Sequence, residues 1–145
     1  MDLLPPKCFS ISIVAVETGS LPSELGGWSR LWAAYLNFNL QTGMVPHEWG
    51  DALTLRYDYS NDGNRFTGSL PTELGLLTNL HYFWVPNGGL EGTIPTEIGL
   101  LTKLYGMSLA NNRQMNGSVP AEVSALQNES LALLDFSGTG VIEGV

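Results

Sequence analysis

The sequence contains little of what metal sites, disulfide scaffolds and nucleic-acid-binding faces need. It has one Cys, two His and six Lys plus Arg residues in a chain of 145. The single Cys8 excludes an internal disulfide framework and a zinc site built from several cysteines. Because 14 acidic residues outweigh the basic ones, the net charge is −8, which argues against nucleic acid and anionic membranes as partners.

Long apolar runs and charged residues are also scarce. No run reaches the ~18 apolar residues of a membrane-spanning helix, so no span is predicted within this chain. The first residues make a poor signal peptide, because Asp2 replaces the usual basic cluster and Pro5 and Pro6 interrupt the segment. Charged residues form only 14% of the chain, against about 25% in an average globular domain.

Leu and Gly, by contrast, are abundant and recur at a fixed spacing. The chain has 23 Leu and 17 Gly residues. Five near-copies of one segment occur: GSLPSELG, GMVPHEWG, GSLPTELG, GTIPTEIG and GSVPAEVS. Their prolines, which lie 24 or 25 residues apart, are Pro22, Pro46, Pro71, Pro95 and Pro120. A Leu-rich period of about 20–29 residues is typical of a solenoid, in which each repeat buries its apolar side only by stacking on its neighbours.

The repeated unit resembles the plant-type leucine-rich repeat, LxxLxLxxNxLxGxIPxxLGxL, and the resemblance extends from Gly19 to Gly144. The best copies run from Leu74 to Gly99 and from Ile98 to Ser124. The resemblance implies an α/β fold, a right-handed β/α (largely β/3-10) solenoid with a concave parallel β-sheet. We expect residues 1–18 to be an irregular segment or a partial first turn. Residues 19–145 are then a repeat domain of about five turns that ends mid-repeat, as part of a longer array would.

Each repeat should contain one short strand whose alternate residues face the core. The predicted inward sets are Leu31, Ala34 and Leu36; Leu80, Phe83 and Val85; Leu104, Met107 and Leu109; and Leu131, Leu134 and Phe136. If the second repeat kept the exact spacing of the others, polar residues would occupy its inward positions. We therefore predict a shifted strand there, with Leu55, Tyr57 and Tyr59 inward and Asp58 outward. The resemblance also implies a ladder of buried asparagines that bond to the backbone; Asn39, Asn64 and Asn112 can fill it, whereas Gly88 interrupts it.

The outward positions of these strands carry large aromatic side chains where a solvated face would carry charged or small polar ones. The predicted outward aromatic residues are Trp32, Tyr35, His81, Tyr82, Trp84 and Tyr105. Nearby hydrogen-bonding side chains are Asn37, Asp58, Ser108 and Asp135. A contiguous stripe of exposed rings often marks a recognition surface. The alternative is that some rings shift register into the core or pack against one another across the strands.

Other recurring residues have simpler explanations than chemistry. A Glu column, at Glu24, Glu48, Glu73, Glu97 and Glu122, follows each Pro by two residues and complements a helical N-terminus better than it forms a calcium site. Asp58 and Asp135 should lie roughly 14 Å apart, too far for a glycosidase pair. No Ser-His-Asp set or phosphate-binding loop is recognisable. We therefore expect neither catalysis nor a metal or cofactor.

The sequence thus favours a non-catalytic recognition module that binds a protein or peptide on the concave strand face. The resemblance implies part of a receptor ectodomain or a polygalacturonase-inhibitor-like protein, and hence an extracellular or membrane-tethered location, although no signal peptide is recognisable in this sequence. An intracellular scaffold and a carbohydrate-binding solenoid stay open. Ice binding needs a regular Thr/Ser array, which Met44 breaks in the column Ser20, Met44, Ser69, Thr93 and Ser118. Asn116 and Asn128 begin the two glycosylation sequons.

Overall fold

Short strands and helical turns alternate along the chain at the period of the sequence repeat. The computed structural model describes residues 9–12, 18–21, 23–27, 31–36, 39–52, 57–59, 64–127 and 130–142. Within these residues lie 11 strands of two to five residues each, four 3-10 helices and one α-helix. Asn37, Asn128 and Cys8 lie outside the described residues.

Six of the strands form one parallel sheet. In spatial order they are β1 (Phe9–Ser12), β3 (Leu31–Tyr35), β5 (Tyr57–Tyr59), β7 (Tyr82–Trp84), β9 (Gly106–Ser108) and β11 (Leu133–Asp135). Each strand pairs in parallel with the strand one repeat away. This arrangement is the predicted concave sheet, and we call it the concave sheet below. Its first strand falls within residues 1–18, and the division of the chain at residue 18 stays a prediction.

A second parallel sheet runs alongside, and its strands lie at or just before the repeated Gly. Its strands are β2 (Thr18–Ser20), β4 (Leu40–Gly43), β6 (Arg65–Gly68), β8 (Gly89–Gly92) and β10 (Gln114–Met115). The last residue of β4, β6 and β8 is a Gly with φ between 75° and 85°. Since that region strongly disfavours residues with a Cβ atom, the repeated Gly lets the chain turn towards Pro.

Helical turns follow the prolines. The 3-10 helices are Ser23–Gly27, His47–Asp51, Thr72–Leu76 and Thr96–Leu100, and the α-helix α1 is Ala121–Leu126. Pro95 lies just before its helix, because its ψ of 139° is extended and the helix begins at Thr96. A Glu lies in the first turn of each helix, where it complements the positive end of the peptide dipoles.

The core lies behind the concave sheet and confirms the predicted inward positions. The sets Leu31, Ala34 and Leu36; Leu80, Phe83 and Val85; and Leu104, Met107 and Leu109 are all buried. In the last set Leu131 and Phe136 are buried, and Leu134 packs against the core while only partly buried. The predicted β/α leucine-rich-repeat solenoid is therefore confirmed, with its apolar side chains enclosed by neighbouring repeats.

The asparagine ladder ties consecutive repeats together. The Asn112 side chain is fully buried, and its Nδ2 donates to the carbonyl oxygens of Val85, one repeat back, and Leu109 at 2.7 and 2.8 Å. Its Oδ1 accepts from the Leu90 N–H at 3.1 Å. At Gly88, where the ladder lacks an Asn, an added Cβ would lie 2.7 Å from Asn112 Oδ1. The Asn112 amide therefore lies close against the space that the missing side chain leaves.

The second repeat keeps the register of its neighbours, so the predicted shift of β5 is wrong. Asp58 pairs with Ala34 on one side and Phe83 on the other, both of which are buried core residues. Asp58 thus takes an inward register position, whereas Tyr57 and Tyr59 share the outward positions of Tyr82 and Trp84. A one-residue slip would put the strand out of phase with both neighbours, and pairing on two sides outweighs the polarity of one side chain.

Candidate ligand-binding face

The outward side of the concave sheet is organised into two rows of residues in register. One row runs Ala33, Tyr57, Tyr82, Gly106 and Leu133. The other runs Tyr35, Tyr59, Trp84, Ser108 and Asp135. Both rows change from aromatic to small residues at β9. The face is therefore rich in rings around β7 and hollow at β9.

Three rings on this face pack against one another. Tyr82 lies edge-on to Trp84 with ring centroids 5.6 Å apart and an interplanar angle of 79°. Tyr82 also contacts Tyr105, again at 5.6 Å, with the planes tilted by 58°. We call Tyr82, Trp84 and Tyr105 the aromatic cluster. Edge-to-face pairs of this kind add about 0.5–1.5 kcal/mol beyond area burial, so the cluster is held in place before any ligand arrives.

Gly106 makes room for the aromatic cluster. A Cβ atom at this position would lie 2.7 Å from Trp84 Cζ3 and 3.1 Å from Tyr82 Cδ1. The two rings therefore lie directly over the Gly106 backbone, and Gly106 is buried although it occupies an outward row. Only a residue without a side chain allows the rings to lie this close to the sheet.

The packing of the rings agrees in part with each of the two interpretations of the aromatic stripe. The rings do not enter the core, since Tyr82 and Trp84 are half-buried and Tyr105 keeps 45% of its surface exposed. They do pack across strands, as the alternative interpretation held. The cluster is thus both a packed feature and a solvent-accessible one.

Of the remaining predicted aromatic residues, Tyr35 lies in an outward row of the concave sheet. Trp32 and Tyr35 are half-buried on β3. Trp32 falls where the pairing of β3 with β1 skips a residue, which is a β-bulge. His81, just before β7, is half-buried, and its Nδ1 lies 2.7 Å from the Asn79 carbonyl oxygen. Because a carbonyl only accepts, that ring nitrogen carries a proton.

A groove of about 500 Å³ lies beside the aromatic cluster. Its lining includes Trp84 at one end, Asp135 at the other and Ser108 between them. Two of the predicted hydrogen-bonding residues are thus brought together: Ser108 Oγ lies 3.5 Å from Asp135 Oδ2. Ser108 is itself largely buried, at 9% exposed, so it forms part of the floor.

Asp135 is held in its ionised form by nearby donors. The Ser137 backbone N–H donates to Asp135 Oδ1 at 3.0 Å. This bond, together with the hydroxyls of Ser137 and Ser108, lowers the pKa of the Asp135 carboxyl below its ordinary value of 3.8, against a smaller opposing effect of burial. The groove therefore has a negative charge at one end at neutral pH.

Sequence reasoning missed several residues that shape this face. Asn87 and Asn111 line the groove with φ of 58° and 59°, and Asn111 Nδ2 donates to Asn87 Oδ1 at 2.8 Å. Their spacing of one repeat was a usable signal, because Asn tolerates the left-handed region better than other residues with a side chain. Leu133, an exposed apolar residue, also lines the groove.

Other predicted features lie elsewhere. Asn116 is exposed beside β10, and glycosylation there and at Asn128 stays a prediction. Among the described residues no group of three or more His, Cys, Asp or Glu could hold a metal ion. In the same part of the chain, no helix has the length and apolar character needed to cross a bilayer.

The fold and its outward face define a leucine-rich-repeat solenoid, and comparison with known proteins agrees. The structure is similar to the leucine-rich-repeat ectodomain of the receptor kinase SOBIR1 from Arabidopsis thaliana, with 25% identity, a TM-score of 0.80 and 92% of this chain covered. It is similar to a TDR receptor, at 30% identity, a TM-score of 0.79 and 86% of this chain. The Arabidopsis receptor kinase HAESA, solved with a peptide hormone, matches at 25% identity, 86% coverage of this chain and a TM-score of 0.76.

These neighbours confirm the resemblance to the plant-type leucine-rich repeat, as found in receptor-kinase ectodomains. The chain spans 70% of the SOBIR1 structure, but only 21% of the TDR receptor and 20% of HAESA. No protein-family model matches the sequence. No curated protein matches it either.

Proposed function

We propose that this chain is a non-catalytic recognition module that binds an extended peptide segment of a protein or hormone across the concave sheet. The observation that carries the proposal is the aromatic cluster beside the groove. Tyr and Trp give a large contact area with only two side-chain torsions to order, so they dominate many recognition surfaces. Here their mutual packing has already fixed them, which lowers the entropy lost on binding.

The groove supplies the polar part of such a surface. Asp135, Ser108 and the Asn87–Asn111 pair place acceptors and donors beside the rings. Apolar and aromatic side chains flanked by a few fixed polar groups are the usual composition of a ligand-binding pocket. The strands provide a rigid base, because each is paired on both sides from β3 to β9.

The similar structures support a peptide as the ligand class. HAESA was solved in complex with the peptide hormone IDA, and the region of it that this chain matches is about a fifth of its length. A receptor role for a longer protein is therefore part of the proposal. The sequence also left open a carbohydrate ligand and an intracellular scaffold. These alternatives predict results different from peptide binding in the selection experiment described next.

The test is a selection of random peptides displayed on phage against the purified protein, followed by affinity measurement of the selected peptides. We expect Trp84→Ala to weaken binding by about 30-fold or more, since truncation of a central aromatic anchor typically costs about 2 kcal/mol or more. Loss of the packed ring should also lower the free energy of unfolding by about 1 kcal/mol. Near-UV and far-UV circular dichroism verify that the variant is folded.

Met44→Ala is the matched control, because Met44 is a large side chain on the second-sheet side with 65% of its surface exposed. Its affinity for the selected peptides should equal that of the wild type. Equal loss in both variants, or no selected peptide at all, contradicts the proposal. Binding on a glycan array that Trp84→Ala abolishes would establish the carbohydrate alternative instead.

A further inference from the structure

The groove beside the aromatic cluster has an uneven charge. Among the described residues that line it, Asp135 is the only one with an ionisable side chain. The described Lys and Arg residues, Arg65, Lys103 and Arg113, are not part of the lining. The whole chain carries a net charge of −8, which adds to the negative potential at the groove. A positively charged group is therefore the complementary occupant.

The register of the sheet sets the width of the hollow. Trp84 pairs with Ser108, and Ser108 pairs with Asp135, so the indole and the carboxylate belong to strands two spacings apart. Two spacings are about 10 Å between backbones. Because the side chain between them is only that of Ser108, the space above it is open. An ammonium or guanidinium placed there lies within reach of both end groups.

Each end group suits a cation. Trp is the aromatic side chain that attracts cations most strongly through its ring face. The Asp135 carboxylate accepts from Ser137 N and lies near Ser108 Oγ, and a carboxylate has about four acceptor positions, so capacity remains for a further donor. The donors already present favour the ionised carboxylate and orient it on the end of β11.

We propose that the hollow above Ser108, between the Trp84 indole and the Asp135 carboxylate, binds an arginine or lysine side chain of the peptide recognised by the concave sheet. The inference rests on the proposed function, because that function supplies the peptide. Cation binding in the hollow can still be tested with a small molecule in place of a peptide. The bound peptide should therefore have a basic residue opposite β9.

The first probe is N-acetyl-arginine amide, with N-acetyl-citrulline amide as its neutral isostere. Binding is followed by ¹⁵N-¹H NMR on the full chain. We expect a dissociation constant on the order of 1 mM for the arginine compound. The shifts should concentrate at the Trp84 indole and at the amides of Ser108 and Asp135. The citrulline compound should bind at least threefold more weakly. Equal binding of the two compounds, or shifts centred elsewhere, overturns the inference.

Variants distinguish the charge of Asp135 from the net charge of the chain. Asp135→Asn should weaken binding of the arginine probe about three- to tenfold, since it removes the charge and keeps the shape. Asp135→Glu keeps the charge, so its affinity for the arginine probe should be at least half that of the wild type. Glu122→Gln removes one charge from α1 and should leave the affinity unchanged. A loss in Glu122→Gln as large as that in Asp135→Asn would mean that net charge alone attracts the probe.

The peptides selected in the function test give a second, independent readout. They should be enriched in Arg or Lys at one position. Replacing that residue by citrulline or norleucine should weaken binding to the wild type. The loss of affinity should equal that of the original peptide on Asp135→Asn. Peptides that bind through Trp84 but lack a basic residue overturn this inference and leave the proposed function intact. An arginine probe that binds at Asp135 when no peptide is selected supports the hollow and contradicts the proposed function.

Discussion

The two sheets of this solenoid are built from the same repeats, yet they present different surfaces. On the second-sheet side, the residue after each Gly is exposed, and the column reads Ser20, Met44, Ser69, Thr93 and Ser118. On the concave sheet, the corresponding rows hold aromatic rings, a Gly, a Ser and an acid. The repeat thus fixes where side chains lie on both sheets, whereas among the described residues the partly exposed aromatic rings lie on the concave sheet.

The comparison shows what the repeat constrains. A residue that faces the core or makes a turn recurs because stacking requires it, as the Gly, Pro and Glu columns do. The exposed residues within strands β4, β6, β8 and β10 of the second sheet are aliphatic, polar or charged, but none is aromatic: Leu40, Thr42, Arg65, Thr67, Glu91 and Gln114. Outward residues on the concave sheet depart from the repeat in their aromatic rings, and this departure supports that face as the proposed recognition surface.

The largest effect is expected where both sheets depend on the same residue. Asn112→Ala removes the partners of three buried backbone groups, Val85 O, Leu109 O and Leu90 N. At about 1 kcal/mol each, the free energy of unfolding should fall by about 3 kcal/mol in urea denaturation. Asn116→Ala is the control, since Asn116 is exposed, and should change it by less than about 0.5 kcal/mol. Similar losses of unfolding free energy in the two variants would show that the buried asparagine ladder does not stabilise the fold.

A smaller effect is expected at Gly106, which lies beneath the aromatic cluster of the concave sheet. Gly106→Ala adds a methyl group against the rings of Trp84 and Tyr82, which must move. We expect a loss of about 1 kcal/mol in stability and a changed near-UV circular dichroism spectrum. Gly27→Ala, whose added Cβ meets nothing within 4 Å, should leave the spectrum unchanged. An unchanged spectrum in Gly106→Ala would mean that the rings do not lie over this glycine.

The smallest effect concerns the pH dependence of stability through Asp135. Because the folded-state pKa is lowered below 3.8, the carboxylate contributes stability above the unfolded pKa, and this contribution is lost as the pH falls through the folded value. The difference in melting temperature between wild type and Asp135→Asn should therefore be present at pH 7 and fade below about pH 3.8. In a Ser137→Ala background the difference should shrink. A difference that is constant with pH contradicts the assigned hydrogen bonds.

The sequence alone predicted the parts of the fold that recur. The inward sets and the Glu in each helical first turn follow from spacing, the Asn ladder follows from the resemblance to the repeat family, and the structure confirms all three. The register of β5 was not predictable from Asp58 itself, because backbone pairing with β3 and β7 decides it. The contact of Trp84 with Gly106 was missed for a similar reason: it depends on ring geometry across two strands.

The central claim is that the concave sheet, through its aromatic cluster and groove, is the recognition surface. The most direct measurement is the ¹⁵N-¹H NMR shift map of the labelled protein on titration with a peptide selected against it. The account predicts the largest shifts at Tyr82, Trp84, Ser108 and Asp135, and none above background at Ser69, Thr93 and Ser118. Largest shifts on the second sheet would contradict it.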